Sequence, residues 1–216
     1  MENFERARAL FYEGLACFGR EQYEMAEEKF QQCLELVPDR LSTLTNLCAT
    51  QIKLGKLEAA RKLCARTLAL DSASSEAWLN LGMIEQESKR PLEAIECFDK
   101  AIQVNPGFAE AWSNKGAACS ELRRYVEALN CHDRAIELRP DYAEAYCNRG
   151  IALKDLGRFE NALSSFDTAI QLKPKYAVAH NNRGLTLQEL DRLDEALASY
   201  DLALKLRPDY VEVYCN

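Results

Sequence analysis

The sequence has little glycine and proline, no long apolar run and no cluster of basic residues. Glycine occurs 9 times and proline 6 times in 216 residues, while leucine and alanine are abundant, and this balance favours helices. A membrane-spanning helix needs about 18 or more consecutive apolar residues, and no such stretch is present. Because the net charge is −7 and Lys and Arg are scattered, we expect neither nucleic acids nor acidic membrane surfaces as partners.

The residue types that carry catalysis and metal binding are also scarce or poorly spaced. Only two histidines are present, no pair of cysteines has the short spacing of a zinc site, and no phosphate loop or dinucleotide motif occurs. We therefore predict no catalytic residue, no metal and no cofactor. The N-terminus does not read as a secretory signal, and nine cysteines cannot all pair internally, so free thiols in a cytoplasmic protein are expected.

What the sequence does have is an internal repeat with a period of 34 residues, beginning at Ala7. Position 20 of the repeat is always alanine, position 8 is small, position 24 is mostly aromatic and position 32 is mostly proline. Apolar residues recur at helical spacing on both sides of a break near position 15, which predicts two helices joined by a turn. The complete repeats are residues 7–40, 41–74, 75–108, 109–142, 143–176 and 177–210, and residues 211–216 open a seventh.

The small residues at positions 8 and 20 predict a close approach of the two helices, with the aromatic side chain of position 24 beside position 8. One repeat departs from this pattern in a compensating way. Cys48 replaces the glycine and Cys64 replaces the aromatic residue, so the total volume is roughly kept.

These columns resemble the tetratricopeptide repeat, on the residues Trp78, Trp112, Gly82, Gly116, Ala94, Ala128, Phe98, Pro106 and Pro140. The resemblance implies an all-α, right-handed superhelical solenoid of antiparallel helix pairs. It would form a single domain over residues 1–216, with six full repeats and the start of a seventh. It also implies a concave groove lined by the first helix of each repeat, chiefly at positions 2, 5, 6, 9 and 12.

Two columns of this expected groove are the candidate binding site. Position 6 carries a row of asparagines, which we call the asparagine ladder: Asn46, Asn80, Asn114, Asn148 and Asn182. Position 9 carries an apolar stripe that includes Leu15, Met83, Ile151 and Leu185. Amides that donate and accept suit the backbone of an extended peptide. The ladder is similar to that of O-linked N-acetylglucosamine transferases. Alternatively, the asparagines cap local backbone and the stripe is packing between helices.

Other positions of the repeat narrow the kind of ligand that the groove is expected to bind. Position 2 carries Glu76, Glu110 and Glu144, and positions 5 and 6 carry no base, so a clamp for an acidic C-terminal tail is not expected. Position 5 places Cys147 and Cys215 in the groove, where we expect reactive thiols.

Wherever position 25 is Asp and the next repeat reaches position 7, that position is a base. This pattern predicts the inter-repeat ion pairs Asp99–Lys115, Asp133–Arg149 and Asp167–Arg183.

The sequence thus predicts a scaffold that binds a protein or peptide segment and has no enzymatic activity of its own. Two alternatives remain open. Because residues 211–216 read as the start of another repeat, the chain could be the repeat portion of a larger enzyme, for example a glycosyltransferase. Apolar residues at the end of the last hairpin could instead support head-to-tail self-association.

Overall fold

A computed structural model describes residues 2–209, and all regular secondary structure in that range is helical. Its helices are α1 (Glu2–Gly19), α2 (Tyr23–Leu36), α3 (Leu41–Lys53), α4 (Leu57–Leu70), α5 (Ser75–Glu87), α6 (Pro91–Val104), α7 (Ala109–Glu121), α8 (Tyr125–Leu138), α9 (Ala143–Asp155), α10 (Phe159–Leu172), α11 (Ala177–Glu189) and α12 (Leu193–Leu206). The all-α solenoid of helix pairs is therefore confirmed. The opening of a seventh repeat, residues 211–216, lies outside the described residues.

The chain divides into two compact units, Met1–Pro106 and Gly107–Asn216. The first contains the hairpins α1–α2, α3–α4 and α5–α6, and the second contains α7–α8, α9–α10 and α11–α12. Within a unit, each second helix also packs against the first helix of the next hairpin. That all repeats form one continuous domain stays a prediction.

The turn inside each hairpin depends on one residue, at position 15, whose backbone adopts the left-handed conformation. This position is Gly55 and Gly157 in two repeats, but a charged residue adopts the same positive φ in the others: Glu21, Lys89, Arg123 and Asp191. The residue after it donates its N–H to a carbonyl five residues earlier, as Arg90 does to Glu85 at 2.9 Å, which is a Schellman ending of the first helix. The break in hydrophobic pattern near position 15 is thereby explained.

The core of each hairpin follows the predicted columns. The alanine at position 20 is buried in every repeat. A Cβ atom added at Gly150 would lie 2.6 Å from the ring of Phe166, so only glycine admits the aromatic side chain there. In the second repeat, the sulfur atoms of Cys48 and Cys64 lie 3.0 Å apart in the same place, as the volume argument predicted.

Candidate functional site

The first helices of successive hairpins lie side by side within each unit, which brings the asparagine ladder onto neighbouring helices. In the first unit α1, α3 and α5 are adjacent, and they carry Asn46 on α3 and Asn80 on α5. In the second unit α7, α9 and α11 are adjacent, and they carry Asn114, Asn148 and Asn182. Each unit therefore holds its own section of the ladder.

Most of the ladder amides are anchored by one hydrogen bond to the backbone. The Nδ2 atoms of Asn46, Asn114 and Asn182 donate to the carbonyl oxygen four residues earlier, at 2.7, 2.9 and 2.9 Å. Asn80 is more deeply buried and donates to the carbonyl of Thr45 on the preceding first helix, at 3.1 Å. An amide has a second N–H and two acceptor lone pairs, so an anchored asparagine keeps capacity for a ligand while its orientation is fixed.

The apolar stripe lies half-buried beside the ladder. Leu15, Met83, Ile151 and Leu185 are all intermediate in exposure. Leu15, Met83 and Leu185 also pack against the core of their own unit. The stripe therefore contributes to helix packing and presents part of its apolar surface at the same time.

Position 5 does not present reactive thiols in the described part of the chain. Cys147 is completely buried, and burial raises the pKa of its thiol to about 12. Ser113 and Asn181, at the same position of the neighbouring repeats, are buried too. The expectation that Cys147 is reactive is wrong, because its thiol is buried and lies beside Tyr176, the residue before α11. Cys215 lies outside the described residues.

The glutamates at position 2 of the second unit are engaged within their own repeats. Glu110 pairs with Arg139 at 2.5 Å, and Glu144 pairs with Lys173 at 2.7 Å. Partial burial would raise the pKa of Glu144, but the hydrogen bond and charge of Lys173 hold it below its ordinary value. The negative charge of these two glutamates is therefore partly neutralised by Arg139 and Lys173, the residues that directly follow the second helices of their repeats.

Two of the predicted inter-repeat ion pairs are confirmed. Arg149 contacts Asp133 at 2.6 Å, and Arg183 contacts Asp167 at 2.7 Å. Each arginine also donates to the serine at position 23 of its own repeat, as Arg183 does to Ser199 at 2.8 Å. The pair Asp99–Lys115 would join the two units and stays a prediction.

The first unit has a set of buried polar contacts between repeats that sequence reasoning missed. Glu27 accepts hydrogen bonds from Gln51 at 3.2 Å and from Lys56 at 2.5 Å. At the same three positions of the next junction, Glu85 pairs with Arg61 and, at 2.6 Å, with Arg90. The sequence does contain a signal for these contacts. Glu27 and Arg61 are charged residues at position 21, which is leucine or isoleucine in the later repeats.

The described residues hold neither a group of metal-binding side chains nor a helix that could span a membrane. Among residues 2–209, no three His, Cys, Asp or Glu side chains are grouped so as to hold a metal ion. In the same range, none of the helices is both long enough and apolar enough to cross a membrane.

Comparison with known proteins agrees with the repeat and the fold. A curated human relative, protein O-mannosyl-transferase TMTC3 of Homo sapiens, is 27% identical over 84 residues, which are 38% of this chain and 9% of that protein. In the crystal structure of the APC/C hetero-tetramer Cut9-Hcn1, a chain matches with a TM-score of 0.91 at 16% identity, over 97% of this chain and 42% of its own length. The chain thus spans less than half the length of either.

Another solved structure is matched over almost the whole of its own chain. YrrB, described as a TPR protein with an unusual peptide-binding site, matches with a TM-score of 0.62 at 25% identity, over 86% of this chain and 95% of its own. Models described as tetratricopeptide repeat match residues 7–40, 75–108, 97–130, 115–181 and 177–210. With hairpins and core columns at the same period, the chain belongs to the tetratricopeptide repeat family.

Proposed function

We propose that the chain is a protein-interaction scaffold without enzymatic activity of its own, and that the asparagine ladder and the apolar stripe bind an extended peptide segment. The observation that carries the proposal is the anchored geometry of the ladder on adjacent first helices. Amides held at regular intervals match the donors and acceptors of a peptide backbone, whereas the half-buried stripe offers apolar area to its side chains. A TPR neighbour with a peptide-binding site supports the same assignment.

The residues assigned to this site in the first unit are Leu15, Asn46, Asn80 and Met83. Those in the second unit are Asn114, Asn148, Ile151, Asn182 and Leu185. The second unit gives the sharper test because three ladder asparagines lie on its three first helices. We expect a reducing, cytoplasmic setting for this scaffold, because its nine cysteines cannot all pair internally.

The experiment starts from peptides selected against the whole chain from a display library of unstructured sequences. Their affinities are then measured for the wild type and for a variant with Asn114, Asn148 and Asn182 all changed to Ala. Each lost hydrogen bond is worth about 1 kcal/mol, so the triple change should weaken binding by tenfold or more. N-methylation of the peptide backbone should weaken binding to a similar degree.

The matched control is Asn130→Ala, an exposed asparagine on the second helix α8. It removes the same group from the same unit without touching a first helix, so selected peptides should bind it as they bind the wild type. If the triple variant keeps full affinity for every selected peptide, the ladder is not the binding site.

A second candidate is that the scaffold recognises substrates for a larger glycosyl-transferring enzyme. The observation that favours it is the match to a segment of protein O-mannosyl-transferase TMTC3. The full-length transcript tests this candidate. A transferase domain in the same reading frame would support it, and a reading frame that contains only repeats would contradict it.

A further inference from the structure

A cleft between the fifth and sixth hairpins continues the candidate site toward the ends of the first helices. It has a volume of about 290 Å³ and is formed by the end of α9, the start of α10 and the end of α11. Its apolar lining is Phe159 and Leu185, and its charged lining is Lys154, Asp155 and Glu189. Because Leu185 also belongs to the apolar stripe, the cleft and the candidate site are continuous.

The two carboxylates of the cleft lie on the same helix face as the asparagine ladder. On α11, Asn182, Leu185 and Glu189 follow one another at steps of three and four residues, which places them on one side of the helix. On α9, the same total step of seven residues joins Asn148 to Asp155. An amide, an apolar side chain and an acid therefore succeed one another along this face.

The acid at this position, position 13, is a feature of all three first helices of the second unit. Glu121, Asp155 and Glu189 are all exposed. Glu121 and Asp155 are each followed by another stacked hairpin, so exposure at position 13 persists where hairpins pack. In the first unit, the residues at position 13 are Gly19, Lys53 and Glu87.

Helix stability does not account for these acids. Each is the last residue of its helix, where the helix dipole places partial negative charge and an acid is unfavourable. The carboxylate and the helix end instead add to one another in attracting a cation. The base in the cleft, Lys154, lies 3.9 Å from Asp155, so two carboxylates face one ammonium.

The apolar lining of the cleft suits the rest of a long basic side chain. Phe159 and Leu185 are half-buried and present apolar surface between the two carboxylates' helices. Lysine and arginine lay their methylene stems along such surface and keep the charged head at a polar rim. The ring of Phe159 adds a cation–π attraction where the head passes over its face.

We infer that this cleft binds a lysine or arginine side chain of the peptide, so that the second unit recognises basic extended segments. The inference rests on the proposed function, because the peptide backbone would lie on Asn148 and Asn182 beside the cleft. The methylene stem would cover Phe159, and the head would lie between Asp155 and Glu189. An acidic segment would be repelled from the same place.

The test follows the binding of display-selected peptides by fluorescence anisotropy, with the whole chain and with the double variant Asp155→Asn with Glu189→Gln. These amides keep the size of the side chains and remove their charge. We expect selected peptides to be rich in Lys and Arg and to bind the double variant about tenfold more weakly. Rising salt should weaken wild-type binding more than double-variant binding. Lys154→Met should strengthen wild-type binding, because it removes the competing ammonium.

A second cycle locates the base within the peptide. Replacing the critical Lys or Arg by norleucine should weaken binding to the wild type and have little further effect on the double variant. The matched control is Glu137→Gln with Asp141→Asn, which makes the same charge change on exposed acids at the end of α8 and in the loop after it. This control should bind the peptides as the wild type does, and all variants should melt with the wild type because the altered side chains are exposed.

The outcomes separate this inference from the proposed function. It is overturned if the selected peptides are not rich in bases, or if the double variant binds them as tightly as the wild type. If the Asn114, Asn148 and Asn182 variant still weakens binding in that case, the ladder stands and the cleft alone fails. Loss of binding in the double variant with full affinity in the ladder variant supports the cleft and contradicts the ladder. A library that yields no binding peptide contradicts both.

Discussion

The two units join their hairpins with the same positions but with opposite chemistry. At the junctions between hairpins of the first unit, positions 21 and 11 are polar or charged, as in Arg61 with Glu85, and position 7 is an apolar Leu47 or Leu81. At the junctions of the second unit, positions 21 and 11 are leucines, as in Leu163 with Leu187, and position 7 is an arginine paired with aspartate. The polar or charged residues therefore lie at positions 21 and 11 in the first unit and at position 7 in the second. The leucines lie at position 7 in the first unit and at positions 21 and 11 in the second.

This exchange shows that the repeat contact requires complementary pairs and not particular residue types. The close approach within a hairpin is set by the small and aromatic columns, which both units share. The residues between hairpins differ between the two units, and the buried carboxylates among them meet partners. Glu85 satisfies this condition with two arginines, because a buried carboxylate without a partner would be costly.

The largest effect should come from removing the buried charge of the first unit. Glu85→Leu leaves Arg61 facing Arg90 without their shared partner, and we expect a loss of about 3 kcal/mol in stability. The double change Arg61→Leu with Glu85→Leu copies the leucine pair of the second unit and should recover most of that loss. Urea unfolding followed by Trp78, the one tryptophan of the first unit, measures both variants.

Trp112, the tryptophan of the second unit, provides the control, since its unfolding curve should respond less to Glu85→Leu. A double variant that is no more stable than Glu85→Leu alone would show that the two kinds of junction are not interchangeable.

The next effect concerns His132, which fills the aromatic slot of the fourth repeat where the first unit uses Phe30 and Phe98. The ring is fully buried, neither ring nitrogen has a hydrogen-bond partner within the described residues, and burial lowers its pKa to about 4. Because the unfolded state binds a proton near pH 6.5, the second unit should lose stability as the pH falls from 6.5 to 4, by roughly 3 kcal/mol in total.

His132→Phe should stabilise the chain by about 1–2 kcal/mol at neutral pH, since it removes two unpaired polar atoms from the core. It should also abolish this acid-dependent loss. Unfolding midpoints at several pH values, read at Trp112, test both parts. A wild-type midpoint that depends on pH no more steeply than that of the variant would contradict the assignment.

The smallest effect should come from the exposed ion pairs of the second unit. Arg183→Leu copies the apolar position 7 of the first unit and removes the contact with Asp167, whose side chain is 56% exposed. We expect a change below about 1 kcal/mol, because exposed pairs contribute little. Arg183→Lys is the matched control in urea unfolding, and a loss as large as that of Glu85→Leu would show that this pair is not a minor contact.

Much of the fold followed from the period of 34 residues, because each column meets the same environment in every hairpin. The glycine–aromatic contact and the Cys48–Cys64 replacement were predictable for this reason. The placement of the candidate site on the first helices was predictable too, but which of the expected groove side chains are buried was not. Cys147 was expected in the groove, but its side chain is buried. The helical pattern of one repeat does not show which residues of the next hairpin cover it.

The sequence by itself determined the helices, their pairing into hairpins and the small and aromatic columns, since these depend on spacing within one repeat. Only the tertiary structure decided which polar side chains are buried between the hairpins of the first unit, as at Glu27 and Glu85. It also decided which apolar side chains of the second helices stay exposed, as at Val126. The reason is physical: these properties depend on the distance and register between separate hairpins, which no periodicity within a repeat specifies.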